Sequence, residues 1–123
     1  MRVGSNPLRR QKVLPPYRRH RIIVPVYIPG VDGYFKEALE IFRMSLASLL
    51  ATVDPNHTAI TLIDNACVPE VEALVLPELR AGRIDRYIRH EVNRGKSDPV
   101  VGELRASYEP LLTIADSDVL FLH

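Results

Sequence analysis

Four short strand-like runs, three of them apolar, recur along the chain with a helix-compatible stretch between each pair. They are Ile22 to Tyr27, Ala59 to Ile63, Ile84 to His90, and Leu111 to Ala115. Runs of this length suit strands that are too short for helices and too apolar for loops. Between the first two, Phe35, Leu39, Phe42, Leu46, Leu49 and Leu50 recur at spacings of three and four, one helical stripe over Tyr34 to Ala51. Between the second and third, Pro69 sits where a first helical turn accepts proline. Glu70 and Glu72 suit a helix amino terminus, Pro77 predicts a kink or an early end, and Gly82 a stop. Asp98-Pro99 opens a third, weaker helix through about Ser107. The order β-α-β-α-β-α-β with short links calls for an α/β fold, a Rossmann-like and mostly parallel sheet with helices on both faces.

The connections are specified by turn chemistry. Ile28-Pro29-Gly30-Val31-Asp32-Gly33 is dense in turn formers, with Asp32 placed to cap the next helix, and Asp54-Pro55-Asn56 ends that helix. Charged alternation at Asp85, Arg86, Arg89 and His90 predicts an edge or partly exposed third strand. The mostly apolar character of Leu111 to Ala115 predicts a buried fourth strand.

At 123 residues, 46% of them hydrophobic and 25% charged, the chain suits one domain with a modest core. No apolar run approaches the ~20 residues that span a bilayer. The arginine-rich start lacks the apolar region and cleavage site of a secretory signal. One cysteine, Cys67, excludes an internal disulfide and has no metal-ligand spacing, so an unreactive thiol and a cytoplasmic setting are expected. His20, His57 and His90 show no metal spacing either.

Charge is unevenly placed. Residues 1–21 hold seven basic groups and no acidic one, whereas the rest hold nine basic against fifteen acidic. This divides the chain into a basic, proline-containing arm (residues 1–20) and an α/β domain (residues 21–123). The arm could meet anionic lipid headgroups, which makes peripheral membrane contact an expectation, or lie solvated without a partner. Its few aromatics and lack of an amphipathic period give no ground for expecting nucleic acid.

The strand ends carry the candidate chemistry. In an open parallel sheet, ligands bind just past the carboxyl ends of the strands. No Gly-x-Gly-x-x-Gly follows the first strand, and no Gly-Lys-Ser/Thr element is present, which argues against the usual dinucleotide fold and excludes a P-loop. What remains is Pro25-Val26-Tyr27, Asp64-Asn65, Asn93-Arg94-Gly95-Lys96 and Asp116-Ser117-Asp118. Two carboxylates flanking a small residue can hold Mg2+ or Mn2+ against a diphosphate. With seven aspartates in the chain, one Asp-x-Asp arises easily by chance.

Taken in order, Ile23-Val24-Pro25-Val26-Tyr27, Ile63-Asp64-Asn65, Asn93-Arg94-Gly95 and Asp116-Ser117-Asp118 resemble the landmarks of family 2 glycosyltransferases of GT-A fold. Leu46-Ala47-Ser48-Leu49-Leu50 resembles that family's first-helix pattern. The resemblance runs from Arg21 to the end and covers the nucleotide-sugar-binding N-terminal half of the fold. It implies transfer of a sugar from a nucleoside diphosphate, UDP above all, to a saccharide or lipid-linked acceptor. It implies that Asp64 accepts the uracil N3–H, and that Pro25, Val26 and Tyr27 wall the base. Asn93, Gly95 and Lys96 would lie along the nucleotide. Asp116 would face the ribose and the metal, and Asp118 would be the direct metal ligand.

The acceptor site and general base would belong to a half that follows the Asp-x-Asp element. On this reading the chain stops short, and an oligomer or swapped assembly could cover its open sheet. Ile28 stands where the family often has Asn. A non-catalytic nucleotide-binding or assembly module, and a metal-dependent nucleotidyltransferase, are the alternatives that the same residues leave open.

Overall fold

The computed structural model describes residues 18–122. Most of the basic arm, and any membrane contact it makes, therefore lies outside the described residues. Its last residues are built into the sheet: β1 spans His20–Val26, and both Arg19 and His20 donate backbone N–H bonds to the His57 carbonyl. Arg18 pairs with Asp85. The domain thus begins before Arg21.

Strand β2 (Thr58–Asn65) pairs in parallel with β1, Ile22 opposite Ile60 and Val26 opposite Asp64. Strands β3 (Arg86–His90) and β4 (Leu111–Ile114) add in parallel on the outside, giving the order β3-β2-β1-β4. This is the expected α/β Rossmann-like arrangement. β2 is central and buried along nearly its whole length, which its apolar run requires.

Helices cover both faces. Ile22, Val24 and Val26 pack with Ile60 and Leu62 beneath Phe42, Leu46 and Leu49 of α1 (Ala38–Thr52) and Val71 and Val75 of α2 (Pro69–Arg80). On the other face Ile23 and Ile63 pack beneath Val100 and Leu104 of α3 (Ser97–Ala106). The strand period of two decides which side chain meets which helix.

Four local expectations need correction. The stripe from Tyr34 is not one helix: a single 3-10 turn, Gly33–Phe35, precedes α1, and Asp32 makes no side-chain cap bond. The break falls at Glu37, whose φ of -107 and ψ of 2 depart from α geometry before Ala38 begins the helix. Pro77 neither ends nor shortens α2, which continues to Arg80. The carbonyl it leaves without a helical N–H partner belongs to Ala73, an exposed residue on the solvent side of the helix.

The fourth correction concerns β4. Its Leu111, Leu112 and Ile114 are 58%, 40% and 46% exposed, not buried. Among the described residues only β1 pairs with it, which leaves its outer edge without a strand partner there. The β1–β4 ladder is also short. The Ile23 carbonyl accepts the Ala115 N–H at 2.9 Å, but two residues on, Pro25 has no N–H to extend the ladder on that side. There the chain leaves the sheet and carries Asp116-Ser117-Asp118 away from β1. It then crosses α1, where the Phe121 N–H donates to Ser48 Oγ at 3.0 Å.

Beneath α3 lies a polar cluster that no local pattern announces. Arg21 donates to both carboxylate oxygens of Glu109 at 2.8 Å and to Thr61 Oγ1 at 2.7 Å. Thr61 in turn donates to Glu103 at 2.7 Å. Glu103 and Glu109 are both buried. Burial alone would raise the Glu109 carboxyl, but the hydrogen bonds and charge of Arg21 outweigh it and hold the group below the usual carboxylate range.

Candidate functional site

The gap opened past Pro25 is one wall of a cavity of about 430 Å3 at the carboxyl ends of the strands. Pro25, Val26 and Tyr27 line it from β1, Asn93, Gly95 and Lys96 from the β3–α3 loop, and Asp116 and Asp118 from the segment after β4. These eight were singled out from the sequence, and the fold brings all of them to one hollow. Ile63, Asn65, Pro99 and Ser117 complete the lining.

Asp64 is the exception. It is 0% exposed and does not line the cavity. Its Oδ1 accepts the Cys67 N–H at 2.8 Å, and its Oδ2 accepts the Tyr87 hydroxyl and, at 3.4 Å, Arg89 Nη1. Strand parity explains the placement. Asp64 shares the α1/α2 face with Leu62, whereas Ile63 and Asn65 turn toward α3 and the cavity. In this structure the Asp64 carboxylate, expected to accept a base N–H, is committed to these bonds and does not line the hollow. Asp64 fixes the approach to α2 and draws in β3. Tyr87 feels the same arrangement, its hydroxyl pKa pushed up by burial first and then by donation to Asp64.

Asn65 takes over at the cavity floor, though its amide is already committed. Its Nδ2 donates to Asn93 Oδ1 at 2.7 Å and to the Gly95 carbonyl at 3.0 Å, and its Oδ1 accepts the Arg94 N–H at 2.8 Å. These bonds fasten the β3–α3 loop to the end of β2. Gly95 is required by its φ of +75, while a Cβ there would meet nothing within 4 Å. Ala66 also takes a left-handed φ of 59, which folds the chain so that the Cys67 N–H reaches Asp64. Cys67 itself is buried, and burial pushes its thiol up to about 12, an unreactive state.

The charged groups stand at the mouth. Lys96 Nζ lies 3.0 Å from Asp116 Oδ1, joining the two sides of the hollow through an exposed pair. Such a pair is worth about 0–1 kcal/mol, so a ligand can displace it easily. Among the described residues no cation pairs with Asp118. Lys96 occupies the N-cap position of α3 without a side-chain cap bond, so the amino terminus of that helix borders the hollow and favours an anion there. Among the described residues no cluster of three or more His, Cys, Asp or Glu could hold a metal. The two carboxylates of Asp116 and Asp118 fit a divalent cation only if the ligand's own oxygens complete the shell, as Mg2+ commonly accepts from phosphates. Histidine and cysteine ligands are lacking in the lining, which suits a hard cation over Zn2+.

No protein-family model matches the chain, and no curated protein sequence matches it. Solved structures do. The chain is similar to S. aureus TarS 1–349, with a TM-score of 0.61 and 17% identity over 81% of this chain and 27% of that one. It matches a second TarS structure with a TM-score of 0.62 and 17% identity, over 81% of this chain and 16% of that one. TarS 1–349 in complex with UDP-GlcNAc gives a TM-score of 0.62 at 17% identity, over 81% and 26%. The chain thus spans about a quarter of the length of TarS 1–349, and at this identity the likeness is one of fold.

Proposed function

We propose that the chain is the donor-binding part of a metal-dependent glycosyltransferase that uses a UDP-linked sugar and a saccharide or lipid-linked acceptor. The observation that carries the proposal is the convergence of eight motif residues on one hollow, in a glycosyltransferase-type fold shared with a protein solved with UDP-GlcNAc.

In this reading the base lies against Pro25 and Tyr27, with the Val26 backbone beside it. Asn93 and Gly95 border the nucleoside, and Lys96 with the amino terminus of α3 attracts the diphosphate. Asp116 and Asp118 hold Mg2+ or Mn2+, which when bound supplies a Lewis acid that neutralises charge on the departing diphosphate. The Lys96–Asp116 pair opens as the ligand enters, which releases Asp116 toward the metal and Lys96 toward the diphosphate. Base selection rests on the pocket wall and the backbone rather than on Asp64. The general base is assigned to no residue of this chain.

Calorimetry of the whole chain with UDP and Mn2+ tests the proposal. Wild type should release heat that depends on Mn2+, and Asp118→Ala should lose the metal-dependent part while keeping the weak binding of UDP alone. Equal heats in the two proteins would remove the metal role. Tight binding of a nucleoside triphosphate in preference to UDP would point to a nucleotidyltransferase instead.

A further inference from the structure

A second hollow, of about 500 Å3, adjoins the first and shares Tyr27, Ser117 and Asp118 with it. Its outer wall is the segment between β1 and α1, with Tyr34, Phe35, Lys36 and Glu37 facing it. That segment is held by local backbone bonds: Phe35 N–H to the Asp32 carbonyl at 3.1 Å, and Lys36 N–H to the Gly33 carbonyl at 3.2 Å. The tight turn arranges three aromatic rings in series. Tyr27 and Phe35 meet edge to face at 5.9 Å and 86°, and Phe35 and Tyr34 at 5.1 Å and 75°.

Phe35 is therefore braced from both sides, and Tyr34 stands on it 94% exposed. Tyr34 belongs to neither apolar core cluster. A large ring held in water by a supporting ring contributes little to folding, and its free face is available to a ligand. Lys36 and Glu37 beside it are exposed as well.

We propose that this second hollow is a saccharide subsite, in which the Tyr34 face stacks on the C–H face of a neutral pyranose and Lys36 and Glu37 hydrogen-bond its hydroxyls. A pyranose presents polarised C–H bonds on one face and hydroxyls at its rim. An aromatic face is electron-rich and attracts the first, while the flanking charged groups accept and donate to the second. Neutrality follows from the walls: Lys36 and Glu37 offset one another, and Asp118 is offset by the cation it would hold, so no excess charge is left to draw an ionic ligand or an anionic lipid surface. The subsite's assignment to the acceptor sugar rests on the proposed function, because Asp118 stands on the wall that the two hollows share.

Saturation-transfer NMR on the whole chain tests the subsite, with methyl β-D-glucopyranoside and methyl N-acetyl-β-D-glucosaminide as probes at millimolar concentration. Wild type should transfer saturation to the C–H protons of one ring face. Tyr34→Phe should retain this and Tyr34→Ala should weaken it by roughly tenfold, the loss of one stacking face. UDP–Mn2+ heats, measured on the same proteins, should be equal in all three. Absence of saccharide transfer in wild type, or equal transfer in Tyr34→Ala, overturns the subsite. So does a Tyr34-dependent affinity for phosphatidylglycerol vesicles in place of sugars. Loss of UDP binding with Tyr34-dependent sugar binding retained would overturn the donor reading and leave the saccharide site standing.

Discussion

Replacing Arg21 by methionine isolates the buried charge cluster under α3. Three hydrogen bonds would go, two to Glu109 and one to Thr61. The Glu109 side chain is only 1% exposed, so its charge would be left in a poorly solvated place without its cation. Breaking a buried pair from one side costs about 3–5 kcal/mol. Against a total stability of roughly 5–15 kcal/mol this is a large fraction. With an m-value of about 1.5 kcal/mol/M the urea midpoint should fall by roughly 2–3 M.

Chemical denaturation followed by circular dichroism reads the change. The double variant Arg21→Met, Glu109→Met should recover most of the loss, because a well-packed apolar pair replaces a buried ion pair at little net cost. The pH dependence has a definite sign. In wild type the Glu109 pKa is lowered, so its stabilisation is present above the ordinary value of 4.5 and is lost as pH falls through the lower folded value. In Arg21→Met the lowering by the guanidinium is gone and only the backbone hydrogen bonds at Glu109 and Tyr108 oppose burial, so that pKa rises relative to wild type. The native state then takes up the proton first, and the deficit relative to wild type shrinks as pH falls from 7 toward 4. A loss under about 1 kcal/mol at neutral pH, or a deficit that widens on acidification, would refute the reasoning.

Two further outcomes follow from the residues beneath the cavity. Asp64→Asn should destabilise by about 1.5–3 kcal/mol, the range for hydrogen bonds to a charged group, with UDP–Mn2+ binding unchanged. A loss of UDP affinity at full stability would return Asp64 to the site. Cys67 should alkylate with iodoacetamide at pH 8 roughly a thousandfold more slowly than a free thiol while the protein is native, and at the ordinary rate in urea. Equal rates in both conditions would show that the thiol is accessible and ionised in the folded protein.

Much of the architecture was legible because it rests on local period. The Ile22 to Tyr27 run, the stripe through Phe42, Leu46 and Leu49, and Pro69 at a helix start each declare their element without distant partners. The eight cavity residues were legible for a related reason: a parallel sheet delivers every strand end to the same side. What failed depended on neighbours. The β4 run reads as buried, yet strand order places it at an edge. Asp64 and Asn65 are adjacent polar residues at a strand end, and which of them faces the hollow depends on which face of β2 meets α1 and α2. Arg21 lies far in sequence from Glu103 and Glu109, so nothing local pairs it with them. The signal available for Asn65 was the parity of β2, counted from Leu62 on the core face.

The missing amide hydrogen at Pro25 has an energetic consequence for recognition. Because the slot beside β1 arises from a covalent fact about the backbone, it exists before any ligand arrives. No segment has to be frozen into place to create it, so the entropy that a folding lid would surrender is spared, and more of the contact energy becomes affinity.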